Sequence, residues 1–111
     1  MKLFVDDIRR QPEGWHIART NTEAIRLLAT GSIEEISLDH DTVVQVELNG
    51  FKDWRVVSET FMPVAYYMAL MSEKPKIRFH SGNIEMARLM CGIIGCKWDY
   101  WWTEDLDAVL P

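Results

Sequence analysis

Three short apolar runs, each broken off by a cluster of chemically active side chains, set the strongest limit on how this chain folds. Leu3-Phe4-Val5 runs into Asp6-Asp7, Ile36-Ser37-Leu38 into Asp39-His40-Asp41, and Lys76-Ile77-Arg78-Phe79 into His80-Ser81-Gly82-Asn83. Runs of this length are strand-sized and too short for helices. Helical patterns lie between them. Thr20-Asn21-Thr22-Glu23 has the Ser/Thr-x-x-Glu spacing of a helix start, followed by Ala24, Ile25, Leu27 and Leu28, with Gly31 as the stop. A second helix is predicted from Thr60 as N-cap, with Phe61, Val64, Met68 and Met71 on one face and Pro63 in the first turn, where a missing N–H costs nothing. Met86, Met90, Ile93 and Ile94 mark a third, closed by Gly95. Trp15 to Ala18, after the turn Pro12-Glu13-Gly14, reads as a further strand. Cys96 to Trp102 reads as a last, aromatic strand, and Thr103-Glu104-Asp105-Leu106 as the start of a short terminal helix.

Strands alternating with helices predict an α/β domain with a mostly parallel sheet covered on both faces. A chain of 111 residues has room for one domain, spanning 1–111. Two segments depart from the alternation. Residues 42–57 form two alternating stretches around Asn49-Gly50, a dipeptide suited to a two-residue turn, and predict an inserted β-hairpin; residues 96–111 form the aromatic C-terminal strand and tail. In parallel sheets ligands bind beyond the carboxyl ends of the strands. Every unusual polar cluster in this chain falls at such an end.

Composition removes several classes of function. Twelve Lys and Arg against seventeen Asp and Glu leave a net charge of −5, so no bulk positive field holds nucleic acid nonspecifically. A content of 48% hydrophobic residues is that of an ordinary folded domain. The longest nearly apolar run, Phe61 to Met71, holds Pro63 and two tyrosines and falls short of the ~20 residues that span a bilayer, so no membrane partner is expected. The first residues lack the apolar stretch of a signal peptide, which predicts a cytoplasmic location. Cys91 and Cys96, five apart, match neither a zinc knuckle nor a redox pair and read as reduced structural thiols.

Adjacent strands lie ~4.8 Å apart, so side chains at neighbouring strand ends converge. Carboxylates that close repel unless a cation or proton intervenes, and hard oxygen donors favour Mg²⁺ or Mn²⁺. Asp6, Asp7 and Asp39 are therefore the candidate metal ligands, with turn capping as the alternative for the Asp6-Asp7 pair. His40 and His80 fall at the same edge and suit the base and acid of a proton transfer. Asp41 orients His40 or its own turn. Ser81 and Asn83 precede a helix start, where free N–H groups bind phosphate, although either can be simply an N-cap. Arg9 and Arg19 are placed to reach a phosphate at that rim, or are surface charges. Trp98, Tyr100, Trp101 and Trp102 either stack a base or pack into the core or a homodimer through the aromatic tail.

A strand ending in Asp-Asp, a later strand ending in Asp and a Ser-bearing strand end resemble the receiver fold of two-component signalling, in which an acidic pair binds Mg²⁺ beside a phosphorylatable aspartate. The closer resemblance is to the cyclic-phosphate processing receiver-like family. It rests on Leu3-Phe4-Val5-Asp6-Asp7-Ile8-Arg9, Pro12-Glu13-Gly14-Trp15, Arg19-Thr20, Glu23-Ala24-Ile25, Ile36-Ser37-Leu38-Asp39-His40-Asp41 and His80-Ser81-Gly82-Asn83. It runs from Met1 to about Leu89, matches poorly over 42–57, and has its most specific string at Ser37 to Asp41. The resemblance implies a single receiver-like (flavodoxin-like) three-layer domain that processes cyclic phosphate ends, or related phosphoesters, in RNA repair or nucleotide metabolism. It also implies an active site of Asp6, Asp7, Asp39, His40, Asp41, His80 and Ser81. Members often carry a Gly-rich stretch after the His-Asp, where this chain has its predicted hairpin. Signalling receivers place a Lys at the end of the fifth strand, whereas Lys97 lies near that strand's start. Two functions are expected from this reading. One is a metal-assisted phosphoesterase acting on cyclic phosphates of RNA ends or nucleotides; the other is a non-catalytic receiver-like module that binds a phosphorylated nucleotide or a protein partner.

Overall fold

The computed structural model describes residues 1–102. In chain order it comprises β1 (Lys2–Val5), β2 (His16–Ala18), α1 (Asn21–Ala29), β3 (Glu35–Leu38), β4 (Asp41–Leu48), β5 (Phe51–Thr60), α2 (Met62–Ala69), β6 (Lys76–Phe79) and α3 (Ile84–Ile94). The helix expected from Thr103 lies outside the described residues. β2, β1, β3 and β6 form a parallel sheet in that order, so the α/β receiver-like class is the fold observed. Among the described residues no helix is long and apolar enough to cross a membrane.

The register of this sheet places the site. Val5 lies opposite both Ala18 and Leu38, and Leu38 opposite Phe79, so three of the apolar runs end level with one another. The ladder continues one residue further, through Asp6 N–H to Ala18 O, Asp39 N–H to Val5 O and His80 N–H to Leu38 O, at 3.0–3.1 Å. Asp6, Asp39 and His80 are therefore neighbours in one row because each is the first residue after its apolar run.

Alternation along the strands gives each face its own layer. Leu3, Val5, Ile36, Leu38, Ile77 and Phe79 join one core with residues of all three helices, among them Leu28, Val64, Met68, Met90 and Ile94. The opposite face carries Lys2 and Phe4 from β1, Glu35 and Ser37 from β3, and Arg78 from β6. Tryptophans cover it in place of helices. Trp15 meets Phe4 edge-on at 6.3 Å and packs on Trp101 at 5.5 Å, while Lys2 and Arg78 lie over the Trp15 and Trp101 rings. The three layers are thus helices, sheet and an aromatic cover.

The helix ends follow their local chemistry with two shifts. Thr20 caps α1 by accepting the Glu23 N–H at 3.1 Å, but the Glu23 carboxylate reaches the Arg19 N–H rather than closing on Thr20. In α2 the N-cap is Phe61 rather than Thr60; Thr60 Oγ1 accepts from Met62 N–H, and the Phe61 ring is buried in the core. Asn83 caps α3 through Met86 N–H, and Gly95 ends it in the left-handed region at φ 78°. β4 and β5 pair antiparallel across Asn49 and Gly50, whose φ values of 53° and 80° make the two-residue turn. The expected last strand is reduced to a single parallel bridge between Phe79 and Tyr100, made by the Phe79 N–H to Asp99 O and the Trp101 N–H to Phe79 O. Cys91 and Cys96 are free thiols.

Candidate functional site

Asp6 is held from both sides. Its Oδ1 accepts the N–H groups of Ile8 and Arg9 at 2.9 and 2.8 Å, which curls the chain directly after β1. Its Oδ2 accepts Arg9 Nη1 at 3.1 Å and His80 Nε2 at 3.0 Å. Asp39, at the end of β3, accepts the His40 N–H on Oδ1 at 2.7 Å and Arg9 Nη1 on Oδ2 at 3.2 Å. One guanidinium nitrogen therefore bridges two carboxylates that are 0% and 3% exposed. Two buried carboxylates therefore share one positive charge, too little to hold both fully ionised.

The two acids respond oppositely to this setting. Burial alone would raise the Asp6 carboxyl, but the hydrogen bonds from His80 and from the Arg9 and Ile8 N–H groups outweigh it and bring it down to about 2. Asp39 is pushed up to about 7 by burial and then by the charge of Asp6, against the pull of Arg9, the His40 N–H and the Ser81 hydroxyl. Burial holds His80 below the usual imidazole range, with Asp6 pulling the other way. Asp6 is thus the resident anion and Asp39 the carboxyl that needs a further cation to ionise fully at neutral pH.

Ligand atoms of Asp6, Asp39 and His80 all lie within 4.8 Å of one another, a group able to hold a metal ion. Its donor chemistry suits a divalent ion: two carboxylates in a buried pocket with too little positive charge. Such an ion would compete with Arg9 for Asp6 Oδ2 and Asp39 Oδ2. Beside this group lies a cleft of about 130 Å³ lined by Asp7, Ile8, Arg9, Asp39, Asp41, Ser81, Gly82 and Asn83. Asp41 accepts His40 Nδ1 on Oδ1 at 2.6 Å, and Asn83 Nδ2 lies 3.4 Å from both of its oxygens. Asn83 thereby ties the start of α3 to the residues after β3.

The family model described as cyclic-phosphate processing Receiver domain matches residues 1–95. The chain belongs to that family. No curated protein matches it, and no solved structure does. For this receiver domain the match spans all four strands of the parallel sheet and the three helices, and so includes each residue of the buried group.

Several site residues expected from the sequence are used differently in the receiver domain. Asp7 lines the cleft but is not in the metal-capable group; His80 is the third member instead. His80, expected to move protons, is 0% exposed, has both nitrogens hydrogen-bonded and lies stacked on Phe4 at 4.0 Å, so it does not reach the cleft. His40 is also buried and outside the lining of the cleft, while Asp41, expected to orient it, lines the cleft and is hydrogen-bonded to His40 Nδ1. Arg9 is engaged with Asp6 and Asp39, and its guanidinium also lies over the Trp102 ring at 4.7 Å. Arg19 does not stand at the rim: its Nη1 donates to the carbonyls of Asp6 and Arg9 and fastens the loop after β1. Ser81 and Asn83 lie at the cleft, and Ser81 Oγ accepts the Asn83 N–H at 3.0 Å. Of the aromatic residues near the C-terminus, Trp98 stacks on Phe79 and Tyr100, and Trp101 packs on Trp15.

Proposed function

We propose that this receiver domain is a metal-assisted phosphoesterase acting on cyclic phosphates of RNA ends or nucleotides. The observation that carries the reading is the buried Asp6–Asp39–His80 group opening beside a phosphate-sized cleft in a member of this family. A cleft of about 130 Å³ is well below the ~300–1,000 Å³ of pockets that enclose whole small molecules. It therefore takes the phosphate and its ring, and leaves the rest of the nucleotide or RNA end outside.

Asp6 and Asp39 would hold Mg²⁺ or Mn²⁺, with Asp7, which lines the cleft, nearby. When bound, such an ion neutralises phosphate charge and acidifies an attacking water. The other roles fall to this chain's own groups. Asp41 lines the cleft, takes the proton from the water as the water oxygen bonds to phosphorus, and returns it to the ring oxygen whose bond to phosphorus breaks; His40 Nδ1 and Asn83 Nδ2 hold Asp41 in place. The start of α3, opened by Gly82 and Asn83, turns its first-turn N–H groups toward phosphate oxygens. Arg9, once released from Asp6 or Asp39, supplies a charge for the same phosphate.

Asp41→Asn tests the proton-transfer role, since the amide keeps the shape and cannot accept the proton. Turnover of a 2′,3′-cyclic nucleotide is expected to fall about 10²–10⁴-fold while Mn²⁺ affinity stays within a factor of a few. Unchanged turnover would remove Asp41 from the mechanism.

A further inference from the structure

A buried chain of hydrogen bonds runs from the aromatic cover through the sheet to Asp6. Trp101 Nε1 lies 2.7 Å from Ser37 Oγ, Ser37 Oγ lies 2.7 Å from His80 Nδ1, and His80 Nε2 lies 3.0 Å from Asp6 Oδ2. Ser37, His80 and Asp6 are each 0% exposed, so the Ser37 and His80 protons are not satisfied by bulk water.

Counting hydrogens gives the direction of every link. The indole N–H can only donate, so Ser37 Oγ accepts from Trp101. Ser37 has one hydroxyl hydrogen, and among the described residues His80 Nδ1 is the acceptor within reach. Nδ1 must then carry no proton, which leaves the imidazole proton on Nε2, directed at the Asp6 carboxylate. The opposite tautomer would set a bare Nε2 against a carboxylate oxygen and strand the Ser37 hydrogen in the interior. Rotation of the ring is blocked as well, because Phe4 lies parallel to it at 4.0 Å and 11°.

We propose that Ser37 and Trp101 are positioning residues that fix His80 as its neutral Nε2–H tautomer, making it a donor that aims Asp6 rather than a ligand or proton carrier. The inference deepens the proposed function, and rests on it only for the use made of Asp6. In that role His80 supports the ligand as outer groups of metal sites do, and the aromatic cover gains a direct connection to the site.

The test is the ¹⁵N–¹H long-range spectrum of the histidines in the full chain with chelator present, where protonated and bare ring nitrogens resonate far apart. His80 is expected to show a bare Nδ1 and a protonated Nε2. Ser37→Ala is expected to move both signals toward the average of the two tautomers, and Ser37→Thr, which keeps the hydroxyl, to restore them. Trp101→Phe, on the half-buried cover, gives a second variant should Ser37→Ala fail to fold; it is expected to shift the Nδ1 signal in the same direction by less. In turnover, Ser37→Ala is expected to lower kcat about tenfold with KM little changed, and Ser37→Thr to recover it. A protonated Nδ1 in the wild type, or a His80 spectrum unmoved by both Ser37→Ala and Trp101→Phe, would overturn the proposal. A wild type that shows the Nε2–H tautomer yet turns over no cyclic phosphate would leave the tautomer assignment standing and defeat the proposed function instead.

Discussion

Asp39→Asn is expected to lower metal-dependent turnover by about a thousandfold and, in the same molecule, to make the metal-free protein more stable at pH 8. The two effects have one cause. Asp39 is 3% exposed beside the charge of Asp6, and its carboxyl is pushed up to about 7 from an ordinary value of 3.8. Between those values the folded state binds more protons than the unfolded one, so stability falls as pH rises from about 4 to 7 and the full penalty stands above it. An amide has the same shape and no charge to bury. It keeps an oxygen for the His40 N–H and loses the ion pair with Arg9, a smaller term than the repulsion it removes. Urea unfolding in chelator should therefore show the variant gaining a few kcal/mol on the wild type from pH 4 to pH 8, while the rise in stability with pH that comes from the lowered His80 is common to both. A variant less stable than the wild type at pH 8 would show that Asp39 is stabilised by its neighbours rather than strained by them.

Asp6→Ala is expected to act in the opposite sense, costing about 3–5 kcal/mol and lowering Tm by at least about 12 °C. The Asp6 carboxylate accepts from two backbone N–H groups, Arg9 and His80, all in a part-buried or buried setting. Truncation leaves the His80 Nε2–H without an acceptor at 0% exposure and frees the loop after β1, where Arg19 holds two carbonyls. Because the carboxyl is depressed to about 2, its contribution is fully present above pH 3.8 and is lost as pH falls toward 2. A loss below about 1 kcal/mol for Asp6→Ala would mean that the loop is held without it.

The row of strand ends was legible because three apolar runs of similar length each break off at a polar cluster. Once the strands are parallel and in register, Asp6, Asp39 and His80 have to be neighbours. The side-chain partners within that row were less legible. Arg9 folds back onto both acids only because Asp6 curls the chain under it, and a turn of that kind is compatible equally well with an arginine facing outward. Which of His40 and Asp41 lines the cleft depends on the turn from β3 into β4, a choice that residue types do not specify. Ser37 did leave a signal: a lone hydroxyl in the middle of a strand covered on both faces requires a partner. Its partners are 43 and 64 residues away, so the pairing exists only in three dimensions. The shift of the α2 cap from Thr60 to Phe61 has a similar origin, since burying the Phe61 ring decides where the helix begins.

Hydrolysis of 2′,3′-cyclic nucleotides and of short RNAs ending in a cyclic phosphate, followed by ³¹P NMR with Mg²⁺, Mn²⁺ or chelator for wild type and Asp39→Asn, decides whether the site is a metal-assisted phosphoesterase. The cyclic phosphate signal is expected to convert to that of a monoester with the wild type and metal alone, and to persist with chelator or with Asp39→Asn. Conversion that continues in chelator, or at an equal rate with Asp39→Asn, would contradict that assignment, as would no conversion of any of these substrates by a folded wild type.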